Sequence, residues 1–505
     1  MEITTTSPEA QKFFNQGLSL LHCFWWEEAL RSFHEAARLD SACAMAYWGV
    51  YMVYSNSWNS GDSTAAAERK RARYRALAYS VSTSARERAY IQASHLLDSL
   101  DVKTWRVRYV QAMEDLIAQY PQEVEAKLLL SAFLFQDNFP HGYETEGQPS
   151  LFRRKCLALL EGLLQSHPEH AAVHHYRIHA IEGSPQPEAA LESARKLAQL
   201  APASGHMVHM PGHVYFRLGM YEQARASFLQ SMKVDEAYMA AGQITPEQNW
   251  NYSHNLFYLA MNCAEDGRYQ EGLKWAKLEG YPITMANFHL RYGMWAAAAQ
   301  ALQNAPEDED NTASLQADKG FLAFLHGMAD LEENKVVQAR LQADTLDGAL
   351  AQLLAAGSEQ EDPYDALFGR EVLTVYALEL RGNIASAAGE HEHAIALLQQ
   401  AVAKEKEVGY EEPPPYVRPA LESLGRAYLR AGQWELAGAA YRDELALRPN
   451  SGHALFGIAQ SYAHAGRHVE AAQAFESFLA SWSYADEELQ QMQEARRWLQ
   501  THESN

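Results

Sequence analysis

Residues 421–449, LESLGRAYLRAGQWELAGAAYRDELALRP, are followed at 455–479 by LFGIAQSYAHAGRHVEAAQAFESFL, and the second stretch repeats the pattern of the first. Tyr428 and Tyr462, Ala437 and Ala471, and Tyr441 and Phe475 each recur at a spacing of 34 residues. The physics of such a unit is a pair of helices in which small residues permit close approach and aromatic residues fill the gap to the next pair. Neither pair buries its apolar face alone, so the units must stack.

The same order of small residue, aromatic, Ala and aromatic returns at Gly212, Tyr215, Ala224 and Phe228. It returns again near the start through Gly17, Ala29, Phe33 and Ala36. Clear copies fall near 12–41, 171–202, 205–236, 253–282, 418–449 and 452–482, and degenerate pairs such as ASAAGEHEHAIALLQQAVAKE are expected to fill much of the rest. No segment alternates in the manner of a half-buried strand. The pattern resembles the tetratricopeptide repeat family, whose period is also 34. The resemblance implies an all-α fold, a right-handed superhelical solenoid of antiparallel helix pairs.

The expected organisation is N-terminal repeat helices over 1–56, degenerate repeats over 57–165 with a loop at 136–150, and central histidine-rich repeats over 166–303. Further degenerate repeats follow over 315–408, then C-terminal repeats over 409–482 and a helix or tail over 483–505. Breaks rich in Gly, Pro, Asp, Asn or Ser are expected at 55–64, 136–150, 304–314, 357–365 and 409–417, with a further interruption at 240–253. The segments 136–150 and 240–253 are candidate lids, and the acidic breaks read as solvated connectors. The wider chain also looks like a group of long bacterial tetratricopeptide proteins with stretches similar to AMAYWG, HHYRIHAIE, GHMVHMPGH, SHNLF and EPPPYVRPALESLG. That likeness supports the fold and supplies no reaction.

A chain of 505 residues with 42 basic and 64 acidic side chains carries a formal charge of −22, which opposes both nucleic-acid phosphates and anionic membrane surfaces. Cys23, Cys43, Cys156 and Cys263 stand far apart with no CxxC, so neither a disulfide framework nor a thiolate zinc site is indicated. With no secretory leader or long apolar run visible, a cytoplasmic location is the expectation. No phosphate loop, HExxH or GxSxG motif is present.

The chemistry concentrates in HHYRIHAIEG at 174–183 and HMVHMPGH at 206–213. Ala190 and Ala224 are equivalent positions 34 residues apart, which aligns His175 with His209 and His179 with His213. Both pairs have i,i+4 spacing and so share one helical face, a turn apart. The family resemblance implies that His175, His179, Glu182, His206, His209, His213 and His254 occupy the helix positions that line a concave groove. Imidazole binds iron, copper, zinc or nickel, and two i,i+4 pairs on neighbouring helices can surround one ion.

His175, His179, His209 and His213 are therefore the expected metal ligands, with Glu182, His206 and His254 as further ligands, orienting groups or proton carriers. A merely polar groove, or direct binding of an organic ligand, remains open on the same residues. His22 maps to the groove side but stands alone, and His174 reads as a packing residue. The aromatic run Tyr47, Trp48, Tyr51, Tyr54 and Trp58 fits core packing better than a binding floor.

Two functions follow. One is a metal-dependent enzyme with a small or amphipathic substrate, redox chemistry with iron or copper and dioxygen being favoured because no second carboxylate is visible as a base and Tyr176, Tyr215 and Tyr252 lie nearby. A zinc-dependent hydrolase is its variant. The other is a non-catalytic scaffold holding a peptide or partner protein in the groove.

Overall fold

The small-to-aromatic spacing is a packing rule in three dimensions. The computed structural model describes residues 1–56, 63–98, 104–136, 148–303, 312–356, 363–410, 412 and 416–502. Phe33 is fully buried, and the helices on either side reach its ring through glycine. A Cβ on Gly17 would stand 2.8 Å from that ring, and one on Gly49 2.4 Å. Tyr441 stands in the same relation to Gly425 at 2.6 Å and Gly457 at 2.5 Å. Each aromatic is thus a wedge between its own helix pair and the next, and burying such a ring contributes roughly 1.5–3 kcal/mol.

Every clear copy is a helix pair: Pro8–His22 with Trp26–Leu39, Ala171–Glu182 with Leu191–Leu200, Gly205–Arg217 with Tyr221–Gly242, Trp250–Glu265 with Tyr269–Glu279, Ala420–Arg430 with Trp434–Leu447, and Gly452–His464 with His468–Ser481. The motif alanines Ala29, Ala224, Ala437 and Ala471 are all fully buried between paired helices. Degenerate pairs include Pro363–Ala387 with His391–Val408. No β-strand occurs among the described residues, and the fold is all-α. No helix among them is long and apolar enough to cross a membrane.

The 240–253 interruption is mostly helical. Tyr221–Gly242 runs three residues into it, Pro246–Gln248 forms a single 3-10 turn, and Trp250–Glu265 begins inside it. Gln243, at φ 52°, ends the first helix in the left-handed conformation, so the break shrinks to one tight turn rather than a lid. The breaks at 55–64, 136–150, 304–314, 357–365 and 409–417, and Trp58 with them, lie wholly or partly outside the described residues.

Two compact units divide the chain: Met1–Gly142 with Pro149–Ile181 and Glu192–Pro211, and Tyr143–Gln148 with Glu182–Leu191 and Gly212–Asn505. The core of the second includes Phe228, Tyr258, Phe288, Trp295 and Trp482. It also holds a buried ion network in which Arg291 pairs with Glu265 at 2.7 Å and with Glu422. Burial pushes the Glu265 carboxyl up, but Arg291 and Arg448 outweigh it and hold it down at about 2.

Gly49→Ala places a methyl against the Phe33 ring and is expected to destabilise the protein by about 1–3 kcal/mol. Gly162, on an exposed helical position with nothing within 4 Å of its would-be Cβ, is the control. Gly162→Ala is expected to stabilise by up to about 1 kcal/mol, both changes being read from urea denaturation.

Candidate metal centre

In the first unit the helix Ala171–Glu182 starts on two alanines and carries His175 and His179 a turn apart on one face. The start of Gly205–Arg217 brings His206 beside them. His175 Nε2 lies 3.1 Å from His206 Nε2 and 3.1 Å from His179 Nε2. Two ligands on an ion at about 2.1 Å stand roughly 3.0–3.4 Å apart, so this spacing is that of a ligand set. One nitrogen from each of the three rings falls within 4.8 Å of the others.

The tautomer of His175 is fixed from behind. Its Nδ1 lies 2.7 Å from the backbone carbonyl of His22, which can only accept, so Nδ1–H donates and Nε2 presents a lone pair to the cluster. His22 is itself held at both ends, by Tyr176 Oη at 2.7 Å from Nδ1 and Glu125 Oε2 at 2.7 Å from Nε2. Burial raises the Glu125 carboxyl, and the hydrogen bond and charge of His22 outweigh it, leaving Glu125 below the usual carboxylate range. Burial keeps the Tyr176 phenol protonated far above its ordinary value.

Phe24 covers the three imidazoles, with ring centroids 4.7 Å from His175, 5.6 Å from His179 and 5.5 Å from His206. Phe135 stacks on His179 at 5.3 Å. Phe24 has φ 55°, the left-handed region, just after the helix Pro8–His22. At the corresponding turn of later pairs stand Gly219, Gly267, Gly432 and Gly466, with φ of 65° to 80°. A bulky residue there costs about 1–3 kcal/mol, and such strain concentrates at functional sites. Phe24 and Tyr176 also form one wall of a cavity of about 260 Å³ lined by Trp105, Phe133, Arg69 and Gln136.

In the second unit His213 lies with its Nδ1 3.0 Å from Glu182 Oε2 and its Nε2 3.1 Å from Glu412 Oε1. His254 Nε2 approaches the same Glu412 oxygen at 3.1 Å. Tyr258 packs on both rings, 4.3 Å from His213 and 5.1 Å from His254. Arg217 donates to the Ser184 carbonyl at 2.9 Å and lies 4.4 Å over the Tyr410 ring, holding the two segments that carry Glu182 and Glu412.

His175 and His179 lie with His206, and His213 lies with Glu182, His254 and Glu412. His209 is fully buried and stacks on His206 at 6.2 Å. His175 and His213 are likewise fully buried, so they do not line a groove open to solvent. His174 hydrogen-bonds Ser193 Oγ at 3.1 Å and the Pro168 carbonyl at 2.8 Å, a packing role.

Sequence reasoning missed Glu412, which it assigned to an acidic connector, and with it the second carboxylate it could not find. The stretch EPPPYVRPALESLG, quoted above for its likeness, begins at that residue. It also missed His22, which is not alone, and Phe24, whose signal is a Phe where the repeat takes Gly.

A family model described as tetratricopeptide repeat matches residues 423–486, and a second with the same description matches residues 207–238. No curated protein matches the sequence. Among solved structures, a tetratricopeptide repeat protein from Parabacteroides merdae is 15% identical, covering 68% of this chain and 98% of its own, with a TM-score of 0.35. Yeast Tom70 is 12% identical, covering 98% and 96%, with a TM-score of 0.32. The tetratricopeptide domain of P58(IPK) is 15% identical, covering 76% and 99%, with a TM-score of 0.24.

Phe24→Gly relieves the backbone strain and deletes a half-buried ring, two effects of about 1–3 kcal/mol that oppose each other. Its stability in urea is expected to stay within about 2 kcal/mol of the parent, and Phe24→Leu, which keeps the strain, is expected to be the less stable of the two. A Phe24→Gly loss above about 3 kcal/mol would contradict the strain.

Proposed function

Because the chain belongs to the tetratricopeptide repeat superfamily, whose fold fixes no reaction, we propose its function from the site: a metal-dependent oxidoreductase built on His175, His179 and His206. The observation that carries this reading is the approach of His179 Nε2 and His206 Nε2 to His175 Nε2, 3.1 Å in each case, with His175 oriented by the His22 carbonyl. An all-imidazole set suits iron, copper or zinc. Redox chemistry with dioxygen on iron or copper is favoured because three imidazoles converge on one point. The aromatic cavity beside it suits a small substrate with an apolar or aromatic body, its polar end directed to Arg69 or Gln136.

The histidine-clamp form of the scaffold reading is weakened by burial, since a peptide cannot touch side chains such as His175 that expose no surface. A protein partner elsewhere on the repeats is compatible with the metal reading.

Plasma mass spectrometry on protein purified without chelator and then reconstituted is expected to show iron or copper, with about one equivalent lost in His179→Ala while circular dichroism stays parental. Zinc would redirect the assay to hydrolysis. Metal content unchanged in His179→Ala would overturn the three-histidine reading, and no metal in the parent would favour the scaffold. Because ligation needs neutral imidazoles, loading is expected to fall as pH drops below about 6.

A further inference from the structure

We propose that the second unit holds a metal site of its own, of different chemistry, in which His213, His254 and Glu412 bind a divalent first-row ion and Glu182 orients His213. This goes beyond the three-histidine reading and does not depend on it.

Glu182 Oε2 accepts a hydrogen bond from His213 Nδ1–H at 3.0 Å, which turns Nε2 of that ring towards Glu412 Oε1 at 3.1 Å. His254 Nε2 faces the same oxygen at 3.1 Å, and the donor atoms of His213, His254 and Glu412 all lie within 4.8 Å of one another. A metal ion with ligands at about 2.1 Å satisfies all three atoms at these spacings, since neighbouring octahedral ligands then stand about 3.0 Å apart.

The surroundings suit an ion rather than a solvated ion pair. His213 is fully buried, and Glu182 and Glu412 are mostly so. Tyr258 closes one side against both rings, and burial holds its phenol neutral, well above its ordinary value. Tyr410, likewise held neutral by burial, and Arg217 keep the flanking backbone in place. A carboxylate on Nδ1 of a ligating imidazole is the usual device that fixes the ring and raises its basicity. Two imidazoles and one carboxylate form a harder donor set than three imidazoles. Ferrous iron, and after it manganese or zinc, is the class of ion it would take.

The test uses the full chain, stripped of metal, reconstituted anaerobically with ferrous iron and separately with zinc, and assayed for bound equivalents by plasma mass spectrometry. The parent is expected to bind two equivalents. Glu412→Gln and His254→Ala should each lose one and keep the equivalent that His179→Ala removes. Glu182→Gln should retain the second equivalent with affinity lowered about 10–100-fold. Circular dichroism reports folding, and near-isosteric Glu412→Gln guards against a collapsed alanine variant.

Full loading of both Glu412→Gln and His254→Ala would overturn the proposal, as would a single parental equivalent that only His179→Ala removes. In that case a doubly protonated His213 bridging two carboxylates would explain the geometry. A single equivalent that Glu412→Gln removes and His179→Ala leaves would instead sustain this site and sink the three-histidine reading.

Discussion

The structure depends on one steric constraint: an aromatic ring on the second helix of a pair needs a hole, and glycine on the flanking helices provides it. Phe33 between Gly17 and Gly49, and Tyr441 between Gly425 and Gly457, are the same arrangement at opposite ends of the chain. With no methyl to hold the helices apart, each pair settles at one spacing on its neighbour. Side chains on the facing sides of successive pairs are then neighbours. That is how His206, 31 residues on from His175, comes to present Nε2 at 3.1 Å. The repeat supplies the register, and the histidines use it.

Against that regularity the departures are informative. A glycine turn closes the first helix of most pairs, and Phe24 closes the first one in the same left-handed conformation. The strain is kept where the ring lies over three imidazoles. Pro211, inside the helix that carries His206, His209 and His213, is a second departure, since proline in a helix interior removes a backbone hydrogen bond and costs about 3 kcal/mol. Both departures lie among the histidines.

The fold was legible because the 34-residue spacing of Tyr428 and Tyr462, and of Tyr441 and Phe475, records a contact made within each pair and to its neighbour. Local period alone sufficed. The candidate site was legible in part: i,i+4 spacing placed His175 with His179, but which neighbour completes each group is set by contacts across long sequence separations. Glu412 is far from His213 and His254 in sequence and sits in a proline-rich stretch that reads as a connector. The turn at 243–249 was overread because Gly, Thr, Pro and Asn favour both a long loop and a tight one, and the left-handed Gln243 decides between them only in three dimensions.

The central claim is that imidazole nitrogens, not hydrogen bonds among histidines, are what the cluster in the first unit is for. X-ray absorption at the edge of the bound metal, on the parent and on His179→Ala, tests it most directly. The account requires a first shell containing nitrogen at about 2.0–2.1 Å with the outer-shell scattering of imidazole, weakened in the variant. A spectrum of oxygen ligands alone, identical in the two proteins, would contradict it.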